Sequence, residues 1–520
     1  MALIESLYRL FRCVDAPHHW CGGLKPLVRG VNSLAICCWT ESNSNSPNCL
    51  NIISDNKKRH SLLCIVFHLA YLCTKNKVNT MDIQEIYKIY QAHPIVTTDS
   101  RNCPKGSIFV ALKGVSFDGN KFAEAALEKG CSYAIIDEKE YAKAGDERYI
   151  LVDDALVTYK ELAREHRRQF SIPVIGITGT NGKTTSKELI SAVLAEKFNV
   201  HHTEANYNND VGVPRTLLGI RPEHEIAVIE MGASHPGDIE KLVTYAEPTC
   251  GLITNVGRAH LQGFGSFEGV KQTKGELYDF LKAHGSLLFL NESNPDLTEM
   301  AEQREFDRII TYGQDDTADV QGNVVSCAPC LKFEWQSSSL NTQQPAPTIY
   351  EVQTHLIGSY NLDNMLAAIA IGLHFGVTPQ QINHALENYV PHNNRSQLTE
   401  TAHNKLIVDA YNANPSSMAA AIENFQLMQV ENKMAILGDM RELGDASAEE
   451  HQKVVELLKA TDIRNVWLVG EEFSKTQTDF RKFNDIDEVK AEIALHRPED
   501  HYILIKGSNG IKLFELPDLL

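Results

Sequence analysis

Eight consecutive residues in the middle of the chain, Thr178-Gly179-Thr180-Asn181-Gly182-Lys183-Thr184-Thr185, have the types needed to hold a nucleoside triphosphate. Glycines let backbone N–H groups turn onto phosphate oxygens. Lys183 is long enough to reach the β- and γ-phosphates, and a threonine hydroxyl such as that of Thr184 can ligate Mg²⁺. An apolar β-branched run from Ile172 leads into the stretch, and a helical pattern from Lys187 to Lys197 follows it. Strand, phosphate loop and helix are therefore predicted. Five residues rather than four separate Gly176 from Gly182-Lys183, one more than in the common phosphate-loop pattern.

Two further strands are placed to deliver chemistry to the same edge. The run Ile226 to Ile229 reads as a buried parallel strand that carries Glu230 to its C-terminal end, where an open α/β sheet binds ligands, so Glu230 is a candidate Mg²⁺ ligand. The next strand, Cys250 to Val256, leads to His260, at a third successive strand end. Between them, Asn206, Asn208 and Asn209 form an amide cluster closed by Gly212 and Pro214, which predicts a shaped loop able to present binding groups.

The elements that must position these residues are those of a large α/β protein. A length of 520 residues predicts three or so domains. The formal net charge of −18 argues against a nucleic-acid partner, yet leaves room for an anionic substrate, because phosphate sites are local. Seven of the twelve cysteines lie in the first 80 residues and the others are scattered, which predicts a reducing compartment and no zinc site. Residues 1–80 carry nine Lys/Arg against four Asp/Glu and a twelve-residue apolar run, Leu62 to Cys73, too short to span a bilayer. A targeting or membrane-associating extension is one reading of them. The favoured expectation is a non-native or disordered extension, with the working protein starting at Met81.

From Met81 onward the chain resembles the Mur ligases, which add amino acids or a dipeptide to the UDP-linked peptidoglycan precursor. The resemblance rests on Asp99-Ser100-Arg101, on Phe109-Val110-Ala111-Leu112-Lys113-Gly114, on the phosphate loop, on Asn208-Asn209 with Gly212-Val213-Pro214, and on His260 and Lys274. Leu406 to Met418 and Ala435 to Gly444 are similar to the members that add D-alanyl-D-alanine. The resemblance implies three α/β domains: a small one at 81–170 holding the UDP substrate, a central phosphate-loop parallel sheet at 171–393 binding ATP, and a Rossmann-like dipeptide domain at 394–520.

It further implies that Ser100 and Arg101 contact the uridine diphosphate; a guanidinium suits a diphosphate, although Asp99 and Arg101 could instead pair at a turn. Asn291 would contact the nucleotide base and Arg395, at a hinge, the ATP phosphates. Asn209, Asp409, Asn412 and Asn414 would bind substrate. Two Mg²⁺ ions would be held by Thr184, Glu230, His260 and a Lys274 carbamylated by CO₂, with Lys183, His260 and Lys274 as the catalytic set. The chain departs from the family's pattern at Tyr360, Asn394 and Asn509, and no role is expected for Tyr360. The implied protein is a bacterial cytoplasmic monomer without stable membrane insertion. It would join D-alanyl-D-alanine to UDP-N-acetylmuramoyl-tripeptide through an acyl phosphate, giving the pentapeptide, ADP and phosphate. Alternatives are a Mur-type ligase for another amino acid and a catalytically inactive nucleotide-binding regulator.

Overall fold

The computed structural model describes residues 81–338, 348–391 and 397–520. The expectations for residues 1–80, Asn394 and Arg395 lie outside the described residues.

Among the described residues, three sheets follow one another along the chain. The first is parallel throughout, in the order Val96–Thr97, Ile108–Val110, Tyr133–Ile136 and Tyr149–Leu151. Asp82 caps the preceding helix, Ile83–Ala92, in a capping box with Glu85. The first strand is only 2 residues long. Thr97 Oγ1 accepts from Asp99 N and donates to Asn102 O, folding the Asp99-Ser100-Arg101 segment into a turn.

The central sheet has nine strands. Val200–His202, Ile226–Glu230, Val174–Thr178, Cys250–Ile253, Leu287–Asn291, Ile309–Gly313 and Val320–Cys327 are adjacent in that order and parallel. Val174–Thr178 and Ile226–Glu230 are buried along their whole length, as strands covered by helices on both faces must be. The sheet is not parallel to its edge, because Cys330–Ser337 and Tyr350–Ile357 extend it antiparallel. Cys330–Ser337 alternates between partly and fully buried residues, the pattern of a strand with one covered face. The predicted strand to Val256 stops at Ile253: Thr254 N makes the last ladder bond, to Thr178 O, and the Thr254 hydroxyl donates to Asn181 O of the loop.

In the third sheet Gln397–Glu400 pairs antiparallel with Lys405–Asp409, followed by parallel Tyr502–Lys506, Lys433–Gly438, Asn465–Val469 and Arg481–Phe483. Tyr502–Lys506 is last in sequence but sits between Lys405–Asp409 and Lys433–Gly438. After Lys405–Asp409 the chain goes to Met418 and Ile422 on one face of the sheet and after Tyr502–Lys506 to Leu513 and Leu516 on the other, so the two neighbouring strands diverge at their carboxyl ends, where an open sheet forms a crevice.

The first sheet is fastened to the second through the helix Ala155–Arg167. His166 bridges Tyr87 Oη and Ile220 O, Tyr90 Oη donates to Leu218 O, and Arg167 donates to Ala246 O and Glu247 O. Burial lowers the His166 pKa, so the ring serves this bridge in its neutral form.

Candidate active site

The phosphate loop is built by two glycines in backbone conformations that L side chains rarely adopt, Gly179 at φ 145° and Gly182 at φ 77°. A Cβ on Gly179 would overlap Thr254 Oγ1. Gly182 ends the loop, and the helix Lys183–Ala195 starts there, four residues earlier than the predicted Lys187. Lys183, Thr184 and Thr185 thus occupy the first turn, where N–H groups without helical acceptors favour an anion. Asn255 braces the loop from the neighbouring strand end: its Oδ1 accepts from Asn181 N at 2.9 Å. Lys183 Nζ is folded back on the loop, donating to Gly179 O at 2.7 Å and Thr180 O at 2.9 Å.

Beside the loop, Glu230 Oε1 accepts from Thr184 Oγ1 at 3.1 Å and from Asn208 Nδ2 at 2.8 Å. Its other oxygen, Oε2, is buried and without a hydrogen-bond donor in a side chain only 1 % exposed. A buried carboxylate oxygen left unpaired is costly, and a cation would satisfy it. Glu230 with the Thr184 hydroxyl therefore fits a magnesium ion.

His260 has φ 51°, an unusual conformation for a non-glycine residue, and its ring meets the carboxylate of Glu442, in the segment after the strand Lys433–Gly438. Burial lowers its pKa, the Glu442 charge opposes that, and the Lys183 and Lys274 charges add to the lowering. The neutral form, the one that binds metals, is favoured. Lys274, on the helix Phe267–Ala283, is 2 % exposed and lies 5.5 Å from the centre of the Phe264 ring. Burial first, then the Lys183 charge, pushes its pKa well below the usual lysine range.

These groups surround a cavity of about 730 Å³ lined from both the second and the third sheet. Thr180 to Thr185, Asn209, Glu230 and His260 line it from one side, and Asp409, Asn412 and Asn414 from the other. Asn209 Oδ1 accepts from Val211 N and Gly212 N, holding the amide loop. Asn414 caps the helix Pro415–Leu427, accepting from Ser417 N at 2.9 Å, and its Nδ2 donates to Asn181 Oδ1 at 2.7 Å. Asp409 Oδ2 accepts from Lys506 Nζ at 2.5 Å, and the Asn412 carbonyl accepts from the same ammonium at 3.3 Å.

Other residues singled out in the sequence lie away from this lining. Thr178, the last residue of its strand, and Gly179, the first of the loop, are not part of the lining, and Thr178 Oγ1 is buried without a partner. Asn291 is 1 % exposed, with its Oδ1 accepting from Ser293 N. Ser100 and Arg101 lie in the turn that follows the first sheet's strand Val96–Thr97. There the Arg101 guanidinium donates twice to Asp99, holding that carboxyl down at about 2.

Two residues of the lining had been given no role: Glu442 meets His260, and Tyr360 lines the cavity. Asn208, expected in the amide loop, orients Glu230. Lys506 had a signal in the sequence, a lone charge closing the apolar run Tyr502 to Ile505.

Three family models match the chain in order: the Mur ligase family catalytic domain over residues 94–170, the Mur ligase middle domain over 177–372, and the Mur ligase glutamate ligase domain over 394–509. The chain is 32% identical over 438 residues to a Bacillus subtilis (strain 168) protein named UDP-N-acetylmuramoyl-tripeptide--D-alanyl-D-alanine ligase, covering 81% of this chain and 92% of that one. An Escherichia coli (strain K12) protein of the same name is 33% identical over 427 residues, with coverage of 81% and 92%. Among solved structures, MurF from Acinetobacter baumannii aligns with a TM-score of 0.74 at 28% identity, covering 83% of this chain and 97% of that one. MurF ligase from Thermotoga maritima, in complex with ADP, aligns at 0.72 and 27%, with coverage of 82% and 96%. With matched models spanning most of its length around a phosphate loop, a buried carboxylate and a cleft between two sheets, the chain belongs to the Mur ligase family.

Proposed function

We propose that the protein is an ATP-dependent ligase that joins D-alanyl-D-alanine to UDP-N-acetylmuramoyl-tripeptide. The relatives named for that reaction support it, and so does one observation above the rest. The phosphate loop and the Asn414 loop are hydrogen-bonded to each other across a cavity that also holds Glu230. A triphosphate on one wall and a substrate amine on the other would meet there.

Residues 81–170 are assigned to the UDP substrate through Ser100 and Arg101, residues 171–393 to ATP, and residues 394–520 to the dipeptide through Asp409, Asn412 and Asn414, with Asn209 facing them. Asn291 is assigned to the nucleotide base and Arg395 to the ATP phosphates. The protein is proposed to act as a cytoplasmic monomer; no helix among the described residues is long and apolar enough to cross a membrane.

A carboxylate is a poor acylating agent, so the γ-phosphoryl group of ATP is first transferred to the terminal carboxylate of the tripeptide, releasing ADP and leaving an acyl phosphate. The amine of D-alanyl-D-alanine then attacks the acyl carbon, the amide forms with loss of a proton, and phosphate leaves. Lys183 exchanges its two loop carbonyls for phosphate oxygens and stabilises the charge that develops on them. Thr184, Glu230, His260 and carbamylated Lys274 would hold Mg²⁺, which neutralises charge on the transferring phosphoryl group. Lys274 is suited to carbamylation because its depressed pKa supplies the neutral amine that adds to CO₂ with loss of a proton. The cleft walls keep water from the acyl phosphate.

The test is phosphate release by the full chain with UDP-N-acetylmuramoyl-tripeptide, Mg²⁺-ATP and either D-alanyl-D-alanine or single amino acids. Release that requires the dipeptide is expected. Release supported equally by a single amino acid would assign a different acceptor, and ATP turnover indifferent to any amine would remove the ligase reading.

A further inference from the structure

The helix Ala155–Arg167 brings Lys160 up behind the amide loop of the cleft. Lys160 is 7 % exposed, and its ammonium donates to Asp210 Oδ2 at 2.5 Å, with the Tyr245 ring centre 5.9 Å away. Asp210 lines the cavity, and its side chain is 47 % exposed. The helix is pinned by the His166 and Arg167 bonds described above, and by Arg164 and Arg168, which both pair with Glu247. The ammonium is thus the fixed member of the pair, and the loop carboxylate is the one it holds.

As a stabilising device this pair is poor. Desolvating an ammonium costs more than a half-exposed carboxylate returns. Its value lies in the cleft, whose lining already includes the carboxylates of Glu230, Asp238, Asp363, Asp409 and Glu442. An ATP- and UDP-bearing reaction must bring polyanions into that field. We propose that Lys160 is a positioning residue that holds and neutralises the Asp210 carboxylate, so that the cleft admits its anionic UDP-linked substrate.

Without Lys160, Asp210 presents an uncompensated charge to that substrate. The loop keeps its local shape, because Asn209 still caps Val211 and Gly212 and the Arg215 guanidinium still lies 4.2 Å from the Tyr207 ring centre. The defect is therefore one of charge and of substrate affinity, not of folding. The inference rests on the ligase reading.

The experiment compares steady-state kinetics and melting temperatures of the full-length protein with those of Lys160→Met, Lys160→Arg and the double variant Lys160→Met/Asp210→Asn. Lys160→Met is expected to raise KM for UDP-N-acetylmuramoyl-tripeptide about three- to tenfold with kcat nearly unchanged, an increase that shrinks as salt is added. Lys160→Arg and the double variant are expected to restore KM, and all variants to melt near the parent. An unchanged KM in Lys160→Met overturns the proposal. So does a KM that stays high in the double variant, or a fall in kcat of the same size. Failure of the ligase reading would show separately, as no dipeptide-dependent phosphate release by the unaltered protein.

Discussion

Asn181 of the phosphate loop and Asn414 of the third-sheet segment lie 233 residues apart in sequence, and Asn414 Nδ2 donates to Asn181 Oδ1 at 2.7 Å. One amide thereby does two jobs, since the Oδ1 of Asn414 also caps the helix Pro415–Leu427. The nucleotide wall and the proposed dipeptide wall of the cleft are tied at that point.

The two jobs separate by substitution. Asn414→Ser keeps a cap but is too short to reach Asn181, whereas Asn414→Ala loses both. Thermal melting should show Asn414→Ala destabilised by about 1 kcal/mol and Asn414→Ser by much less. Both should raise KM for ATP or the dipeptide in the phosphate-release assay.

Gly179→Ala should abolish nucleotide binding with little loss of fold. Its φ of 145° disfavours any side chain, and the new Cβ would displace Thr254, which holds both Thr178 O and Asn181 O. Calorimetric titration with ADP is the measurement, and binding at parental affinity would contradict the assigned loop geometry.

Glu230→Gln preserves volume and one acceptor for Thr184 and Asn208 but removes the charge that Oε2 holds buried. Phosphate release should fall by about 10²–10³-fold while the melting temperature holds or rises. Raising Mg²⁺ should recover part of the loss. A variant with parental turnover would remove Glu230 from the metal site.

A pH effect away from the cleft follows from His201. Its pKa is lowered to about 4, chiefly by burial, with the His224 and His202 charges adding to the effect and its bond to Thr216 O opposing it. The unfolded chain takes up this proton near pH 6.5 and the folded one only near 4, so the unfolded state binds more protons between those values. Stability should therefore rise from pH 4 to pH 6.5, by up to about 3 kcal/mol from this group. Urea midpoints across that range would show a shallower slope in His201→Gln.

Much of this arrangement was legible because it is local. The phosphate loop, the strand that ends in Glu230 and the strand Leu287–Asn291 follow from apolar runs broken by glycine or a polar residue, signals that lie within one element. Helix and strand ends were less legible. Whether Lys183 starts a helix or ends a loop depends on Thr254 and Asn255, more than 70 residues away. The partners of the cleft residues were hidden for the same reason. Nothing near Asp409 in sequence announces Lys506, nor anything near Asp210 the lysine at 160; sheet order and helix docking bring them together. Arg101 stood between two readings, and its two hydrogen bonds to Asp99 are the local one.

The most direct measurement of the proposed chemistry follows the oxygens of the acceptor. The tripeptide is prepared with ¹⁸O in its terminal carboxylate and turned over with Mg²⁺-ATP and D-alanyl-D-alanine, and the released phosphate is examined by mass spectrometry. Transfer of one labelled oxygen to each phosphate, with the other kept in the new amide, is the expected result, because phosphate leaves the acyl carbon carrying a former carboxylate oxygen. Unlabelled phosphate beside a formed amide, or labelled phosphate without dependence on the dipeptide, would contradict it.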